Sequence, residues 1–267
     1  MDNVFRILDK IDKFVFLKNN NKMNNIIYGI RPLEEALRQG TQIDKVLLQK
    51  NLTGENIKQL KEELRDSNQN IQIQYVPVEK LNAIVKSGSH QGVVAYCSLV
   101  KYYDLEQTIN QILEKQSTPF ILFLDHLTDV RNVGAIARTA ECTAVDCIIV
   151  PNEGSAQINM DSVKTSAGAI LRVPICKSTN SKTTLNFLKQ SGIKLYCATE
   201  KTDTLYTEVD MKEPLCLIVG AEDKGINKQI LKMADGLVKI PMKGEIESLN
   251  VSVATGVLLY EVIRQRG

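Results

Sequence analysis

The sequence predicts an α/β protein of two domains, the second built around a mostly parallel sheet. Continuous apolar runs at 120–124 and 215–219 are typical of strands that are covered on both faces, as in parallel sheets. Predicted helices alternate with such runs throughout 119–267. These two observations favour a βα-alternating domain in that region, with ligands bound at the carboxyl ends of its strands.

A smaller α/β domain is predicted for residues 25–100. A helix begins near Pro32 and ends before Gly40, which follows the usual preference for proline in the first turn and glycine after the last. Residues 71–76 alternate in polarity as a half-buried strand does. Residues 101–118 are predicted to be a partly helical linker, and residues 1–24 a poorly ordered extension.

The composition excludes several classes of protein. A net charge of +2 over 267 residues is too small for nucleic-acid binding by overall charge, so any RNA contact requires a local patch. The six cysteines form no Cys-x-x-Cys pair and there are two histidines, which argues against a metal site and favours a reduced, cytoplasmic location. No apolar run is long enough to cross a membrane.

The motifs of several common enzymes are absent. No Gly-x-Gly-x-x-Gly follows a strand, and Gly220 and Gly225 are not followed by the Lys-Ser/Thr of a phosphate-binding loop. No Gly-x-Ser-x-Gly elbow occurs. Neither His90 nor His126 has a nucleophile motif to serve, and His90 is interpreted as a structural or RNA-facing residue. The sequence therefore predicts neither a nucleotide hydrolase nor a serine hydrolase.

Three polar segments follow predicted strands, at 132–138, 220–225 and 240–255. In the first, Gly134 would allow close backbone approach and Arg138 suits a phosphate, although a surface arginine is the simpler alternative. The second is equally explained as a solvated turn. In the third, Ser248 is a candidate N-cap for a helix over 249–264, but Asn250 and Ser252 are unusual at the start of an apolar helix.

The three segments, together and in this order, identify a family. Residues 129–139 (DVRNVGAIART), 218–225 (IVGAEDKG) and 240–254 (IPMKGEIESLNVSVA) closely resemble the three motifs of the SpoU/TrmH family of the SPOUT superfamily. Residues 28–37 (YGIRPLEEAL) and 90–94 (HQGVV) are similar to its ribosomal-protein-like substrate-binding domain, in the branch that methylates guanosine in 23S rRNA. Arg31 is a departure, since that branch often has histidine there.

The resemblance implies an S-adenosylmethionine-dependent RNA ribose 2′-O-methyltransferase. It further implies a trefoil knot in the C-terminal domain and a homodimer with the active site at the subunit interface. The implied catalytic positions are Asn132, Arg138, Glu222, Asn250 and Ser252. The implied cofactor-binding positions are Gly220, Ile240 and Leu249, and the candidate RNA-binding residues are Arg31, His90 and Arg131.

The expected reaction transfers a sulfonium methyl group to a ribose 2′-hydroxyl. Arginine stays protonated in proteins, so Arg138 is expected to bind phosphate and stabilise the developing alkoxide, and not to act as the base. The proton would pass to Glu222, to the phosphate or to water. The alternatives are methylation of guanosine in tRNA, and a non-catalytic protein that binds RNA or assists ribosome assembly.

Overall fold

A computed structural model describes residues 26–67, 69, 71–86, 88–115, 118–221 and 223–267 of the chain. The chain divides into two compact units, Met1–Ser98 and Leu99–Gly267. The predicted extension at 1–24 lies outside the described residues. No helix among the described residues is long and apolar enough to span a membrane.

The first unit has a four-stranded sheet in the order β1-β4-β2-β3, in which β2 and β3 are parallel and the other pairs antiparallel. Its elements, in chain order, are β1 (Ile26–Tyr28), α1 (Ile30–Arg38), β2 (Ile43–Gln49), α2 (Glu55–Asp66), β3 (Gln72–Val76), α3 (Val78–Ile84) and β4 (Val93–Cys97). Alternate residues of β2 enter two separate apolar clusters: Val46 and Leu48 pack with α1 and α2, whereas Leu47 packs with α3.

The second unit has a seven-stranded sheet in the order β11-β9-β10-β6-β7-β8-β5, and every pair of neighbouring strands is parallel. The strands are β5 (Tyr102–Tyr103), β6 (Phe120–Asp125), β7 (Cys147–Pro151), β8 (Ile175–Ser178), β9 (Lys194–Ala198), β10 (Leu215–Gly220) and β11 (Gly236–Val238). The helices are α4 (Leu105–Leu113), α5 (Val130–Cys142), α6 (Met160–Thr165), α7 (Ser181–Gln190), α8 (Lys228–Met233) and α9 (Val251–Arg266).

Both faces of this sheet are covered. On β6, Leu122 and Leu124 pack in the cluster that contains α5 and α9, whereas Ile121 and Phe123 pack in the cluster that contains α4, α7 and α8. All four side chains are at most 1% exposed. Burial on both faces explains why the residues of this strand are apolar without interruption. The predicted α/β architecture with a mostly parallel sheet is confirmed.

Several boundaries differ from the prediction. Residues 101–118 carry β5 and α4, which belong to the second unit, and β5 pairs with β8. β8 itself was not predicted, because its four residues include a lysine and a serine. The helix α6 ends at Thr165. Ala167 and Gly168 then adopt left-handed conformations (φ of 50° and 82°), and a short 3-10 turn follows.

The C-terminal helix is fastened to the amino end of the sheet by Arg266. Its guanidinium donates hydrogen bonds of 2.8–3.2 Å to the carbonyl oxygens of Thr118, Pro119, Met211 and Glu213. The same group lies 5.2 Å from the centre of the Phe120 ring. One side chain near the end of the chain therefore holds the segments that enter β6 and β10.

Candidate active site

The strands that precede the three polar segments end at one edge of the sheet. Asp125 at the end of β6 pairs in register with Gly220 at the end of β10, and Ala198 of β9 pairs with Val238 of β11. Because all these strands are parallel, the loops that follow them leave the sheet on the same side. This is the edge at which open α/β sheets bind ligands.

The first segment forms the start of α5. The side chain of Asp129 caps the helix by accepting a hydrogen bond of 2.7 Å from the backbone N–H of Arg131. A Cβ atom on Gly134 would lie 2.6 Å from the carbonyl oxygen of Ser162. Gly134 therefore allows the backbone of α6 to approach α5 closely, as expected from the sequence.

Asn132 and Asn250 connect the first and third segments. The Asn250 side-chain amide donates a hydrogen bond of 3.1 Å to Oδ1 of Asn132, although the two residues are 118 positions apart. Oδ1 of Asn250 accepts bonds from the backbone N–H of Ser252 at 2.9 Å and from its Oγ at 2.6 Å. The structure thus brings Asn132, Asn250 and Ser252 together, as the resemblance implies.

Asn250, and not Ser248, is the N-cap of the C-terminal helix. The helix begins at Val251, two residues later than predicted, and Ser248 lies in the exposed segment 243–250. Serine and asparagine are equally good N-caps, so local sequence could not decide between them. The bond to Asn132 favours Asn250, because it gives the cap a second partner in the folded chain.

The second segment is a tight loop beside β10. A Cβ atom on Gly220 would lie 2.5 Å from both the carbonyl oxygen of Gly225 and the backbone nitrogen of Ile226. The backbone N–H of Gly225 bonds the carbonyl of Ala221 at 2.8 Å. Only glycine fits at position 220 when the loop is closed in this way. Glu222 lies outside the described residues.

Ile240 and Leu249 stand at the two ends of the third segment. Ile240 is half-buried against the apolar core, two residues after the end of β11. The Leu249 side chain is 38% exposed. Lys239 anchors the start of the segment through backbone bonds to Thr204 and Tyr206. The backbone between Ile240 and Leu249 is therefore accessible at the edge of the sheet.

Arg131 and Arg138 lie on the exposed surface of α5. They are seven residues apart, or about two helical turns, so both point from the same face of the helix. Within the part of the chain that the structure describes, the guanidinium of Arg138 forms no hydrogen bond or ion pair. The structure does not bring Arg138 into contact with Asn132 or Asn250, and the side chain is accessible to a ligand or to another chain.

In the first unit, His90 stabilises the turn before β4 through hydrogen bonds at both ring nitrogens. The backbone N–H of Gly92 donates to its Nδ1 at 2.9 Å, and its Nε2 lies 2.8 Å from Oδ1 of Asn82. Nδ1 is therefore an acceptor, and Nε2 carries the proton. Gln91, which was not singled out from the sequence, accepts a bond of 3.1 Å from the N–H of Ile30, beside the exposed Arg31. This contact brings the predicted RNA-binding segments of the unit together.

Among the described residues, the edge of the sheet holds an unreactive thiol and no group of metal ligands. Burial, with a smaller contribution from the Asp125 carboxylate, raises the pKa of the Cys197 thiol to about 12, so the thiol stays protonated at neutral pH. The described residues contain no group of three or more His, Cys, Asp and Glu side chains that could hold a metal ion. Hydrogen-bonding groups and exposed cations dominate the site.

Two family profiles match the chain. The profile described as "SpoU rRNA Methylase family" matches residues 119–260, and that described as "RNA 2'-O ribose methyltransferase substrate binding" matches residues 26–103. The chain belongs to the SpoU rRNA methylase family. The resemblance seen in the three motifs is thereby confirmed, and the chain is a SpoU-family RNA methyltransferase.

Relatives of this SpoU-family protein match more than nine-tenths of its length. The 23S rRNA (guanosine-2'-O-)-methyltransferase RlmB of Yersinia pestis is 37% identical over 246 residues, which cover 92% of this chain and 99% of the relative. The putative TrmH family tRNA/rRNA methyltransferase YacO of Bacillus subtilis is 34% identical over 246 residues, with 92% and 98% covered. Both alignments include the two units.

Solved structures show the same fold. The SpoU methyltransferase AviRb of Streptomyces viridochromogenes, in complex with the cofactor AdoMet, superposes with a TM-score of 0.58 at 23% identity, over 94% of this chain and 95% of that one. The TrmH/SpoU tRNA modifying enzyme of A. aeolicus matches with a TM-score of 0.52 at 33% identity, over 61% of this chain and 84% of that one.

Proposed function

We propose that this SpoU-family protein methylates a ribose 2′-hydroxyl of a guanosine in 23S rRNA, with S-adenosylmethionine as the methyl donor. The observation that carries the choice of substrate is the 37% identity to the guanosine-2′-O-methyltransferase RlmB across both units. Substrate selection requires the first unit as well as the second, and the match includes both. A ribosomal RNA substrate and six free thiols favour the cytoplasm.

The residues at the edge of the sheet suit S-adenosylmethionine. The tight loop after Gly220 and the accessible backbone between Ile240 and Leu249 offer peptide N–H and C=O groups to a polar adenosyl group. The half-buried Ile240 offers an apolar surface to a purine ring. When bound, S-adenosylmethionine supplies a methyl group on a positively charged sulfur, which is an electrophile.

Positioning is the main contribution proposed for the protein. A bound ribose hydroxyl that is aligned with the methyl group reacts as if intramolecularly, which lowers the barrier without an acid or a base. The Asn250–Asn132 bond, together with the bonds from Ser252 to Asn250, fixes the starts of α5 and α9 relative to each other. We assign Asn132, Asn250 and Ser252 to this positioning role.

Arg138 is the proposed phosphate ligand. It is always protonated, it is exposed, and its planar fork matches the oxygens of a phosphate. Charge of this kind stabilises the alkoxide that develops as the hydroxyl loses its proton. Glu222, the phosphate and water are the proposed proton acceptors. Arg131, on the same face of α5, would contact a neighbouring phosphate, and Arg31 and His90 remain proposed RNA contacts of the first unit.

A second copy of the chain is the proposed partner of α9. Val253, Tyr260 and Ile263 are 52%, 56% and 37% exposed, and their spacing of seven and three residues places them on one face of the helix. An apolar helix face of this kind usually packs against another protein surface. Homodimerisation through α9, which itself packs on α5, would place the partner near Arg138.

Light scattering tests the proposed dimer. The wild-type protein should have the mass of a dimer, and the Tyr260→Glu variant should have the mass of a monomer.

We further propose that the second unit has the trefoil knot that the family resemblance implies. After β11, the chain passes through the segment 239–250 beside Thr204 and Tyr206 and then returns as α9 to pack against α5 and β10. A knotted chain is a rare exception to ordinary connection rules. The match of residues 119–260 to the family profile supports the proposal.

Mapping 2′-O-methyl groups in total RNA from a strain that lacks this protein tests the proposed substrate. We expect one guanosine of 23S rRNA to lose its methyl group, and restoration by the wild-type protein but not by a variant that lacks Arg138. The tRNA alternative is favoured by the 33% identity to the A. aeolicus tRNA modifying enzyme. Loss of a methyl group from tRNA alone would replace our proposal with that alternative.

A further inference from the structure

A buried carboxylate at the end of β6 connects two loops of the candidate site. The Asp125 side chain is 1% exposed. Its Oδ2 accepts a hydrogen bond of 2.7 Å from the backbone N–H of Asn227, and its Oδ1 lies 2.5 Å from Nδ1 of His126. An ionised carboxylate only accepts, so the proton of this contact belongs to Nδ1. In the neutral imidazole, Nε2 then carries the lone pair.

The His126 ring is placed by an uncommon backbone conformation and by a close approach of the facing loop. His126 has a φ of 56°, in the left-handed region that residues other than glycine uncommonly adopt. The facing loop has Gly154, on which a Cβ atom would lie 2.5 Å from Cδ2 of the ring. A side chain that is 47% exposed adds little to the core. The ring is therefore held in place for a reason other than packing.

The loop around Gly154 contains two buried oxygen atoms without hydrogen-bond partners among the described residues. They are Oδ1 of Asn152 and Oγ of Ser155. The loop is fixed to the segment after β6 by a bond of 2.6 Å from the N–H of Ala156 to the carbonyl of Leu127. Buried polar atoms are nearly always paired, so two oxygens without a protein partner on either side of one glycine leave acceptors for water or for a polar ligand.

We propose that His126, Asn152 and Ser155 form a pocket for the base of the nucleotide that is methylated. The pocket lies after β6 and β7, and is separate from the residues assigned to the methyl donor after β10 and β11. This inference rests on the proposed RNA methyltransferase function. It adds a determinant of base specificity within the second unit.

The chemistry of the pocket favours guanine. Oδ1 of Asn152 and, in the neutral imidazole, Nε2 of His126 accept hydrogen bonds, and Oγ of Ser155 can accept or donate one. The Watson–Crick edge of guanine presents two neighbouring donors, N1–H and the 2-amino group, whereas adenine presents one donor, its 6-amino group, beside an acceptor at N1. A pocket with two neighbouring acceptors therefore pairs fully with guanine and leaves one acceptor unpaired when it meets adenine.

The test compares the wild-type protein with two variants on a synthetic RNA hairpin that carries the mapped target nucleotide. Ser155→Ala removes one oxygen and should keep the thermal stability of the wild type. His126→Gly removes the ring and suits the left-handed backbone, but Oδ1 of the buried Asp125 loses its donor, so each protein is assayed below its own melting temperature. Glu153→Gln, at an exposed position of the same loop, is the matched control. Each protein is assayed with guanosine and with inosine, which lacks the 2-amino group, at the target position.

We expect inosine to lower the kcat/KM of the wild-type protein and of Glu153→Gln by roughly tenfold, the effect of one lost hydrogen bond. Both pocket variants should lower kcat/KM on guanosine by about as much, and at least one should no longer distinguish inosine from guanosine. Affinity for S-adenosylmethionine, measured by calorimetry, should be unchanged.

Each contrary result has a distinct meaning. If both variants keep the wild-type preference for guanosine, the pocket is wrong and the proposed function stands. Weaker binding of S-adenosylmethionine by both variants would also overturn the pocket, because the residues would then belong to the donor site. A wild-type protein that methylates no RNA overturns the proposed function and the pocket together. A mapped target other than guanosine overturns the assignment of the base.

Discussion

The side-chain amide of Asn250 donates a hydrogen bond to Oδ1 of Asn132 over 3.1 Å, and this bond joins the first turns of α5 and α9. Asn250 also caps α9 through its own oxygen. The Asn250 side chain thus stabilises the start of its own helix and also binds a residue of a distant helix. The two interactions can be separated by mutation.

Asn250→Ser should keep the helix cap and lose the link to Asn132. Serine caps helices as well as asparagine does, but its side chain is shorter and has no amide group to donate to Oδ1 of Asn132. We expect unfolding in urea to be nearly unchanged, whereas Asn250→Ala should lose about 1 kcal/mol. Both variants should lower methyl transfer. Full activity of Asn250→Ser would show that the link between the helices does not matter for the reaction.

Gly220→Ala should abolish binding of S-adenosylmethionine. The new methyl group would collide with the backbone at Gly225 and Ile226, which cannot move aside as a side chain can. Overpacking of this kind costs about 1–3 kcal/mol and would open the loop. Calorimetry with the cofactor measures the effect. Gly256→Ala, where a Cβ atom would meet only Cγ2 of Thr139 at an ordinary contact distance of 3.8 Å, is the control and should bind normally.

Arg138→Ala should leave stability unchanged and remove most of the activity. The side chain is exposed, so its loss should change the free energy of unfolding by less than about 0.5 kcal/mol. Loss of a charge that stabilises the transition state should lower kcat by about 100-fold. Arg138→Lys keeps the charge and should retain measurable activity. An inactive lysine variant with normal RNA binding would contradict a purely electrostatic role.

Arg266→Ala should destabilise the second unit by roughly 2–4 kcal/mol, because four carbonyl oxygens lose a charged donor. The measurement is urea unfolding, and the exposed Arg138→Ala serves as the control for loss of an arginine. Unfolding at the same urea concentration in both variants would refute the idea that Arg266 fastens the helix.

The sequence predicts the sheet of the second unit well where strands are apolar throughout, as at 120–124 and 215–219. Burial on both faces leaves no room for polar residues there, so the pattern is unambiguous. β8 contains Lys177 and was missed, because near the margin of the sheet a strand tolerates polar side chains. Short strands of this kind depend on their neighbours more than on their own residues.

The site was predictable as a set of loops but not as a set of contacts. The motifs pointed to Asn132, Asn250 and Ser252, and the structure brings these three together. The arrangement around Asp125 could not be predicted, because Oδ2 of Asp125 is held by the backbone N–H of Asn227, 102 residues away. The adjacent Asp125 and His126 did not indicate that arrangement in the sequence alone.

The bonds made by Arg266 also bear on the order in which the second unit can fold. Arg266 lies 148 positions after Thr118, one of the residues whose carbonyl oxygen it binds. Synthesis proceeds from the N-terminus, so β6 and β10 are made before the side chain that holds the segments entering them. The second unit therefore gains these four bonds only after α9 has left the ribosome.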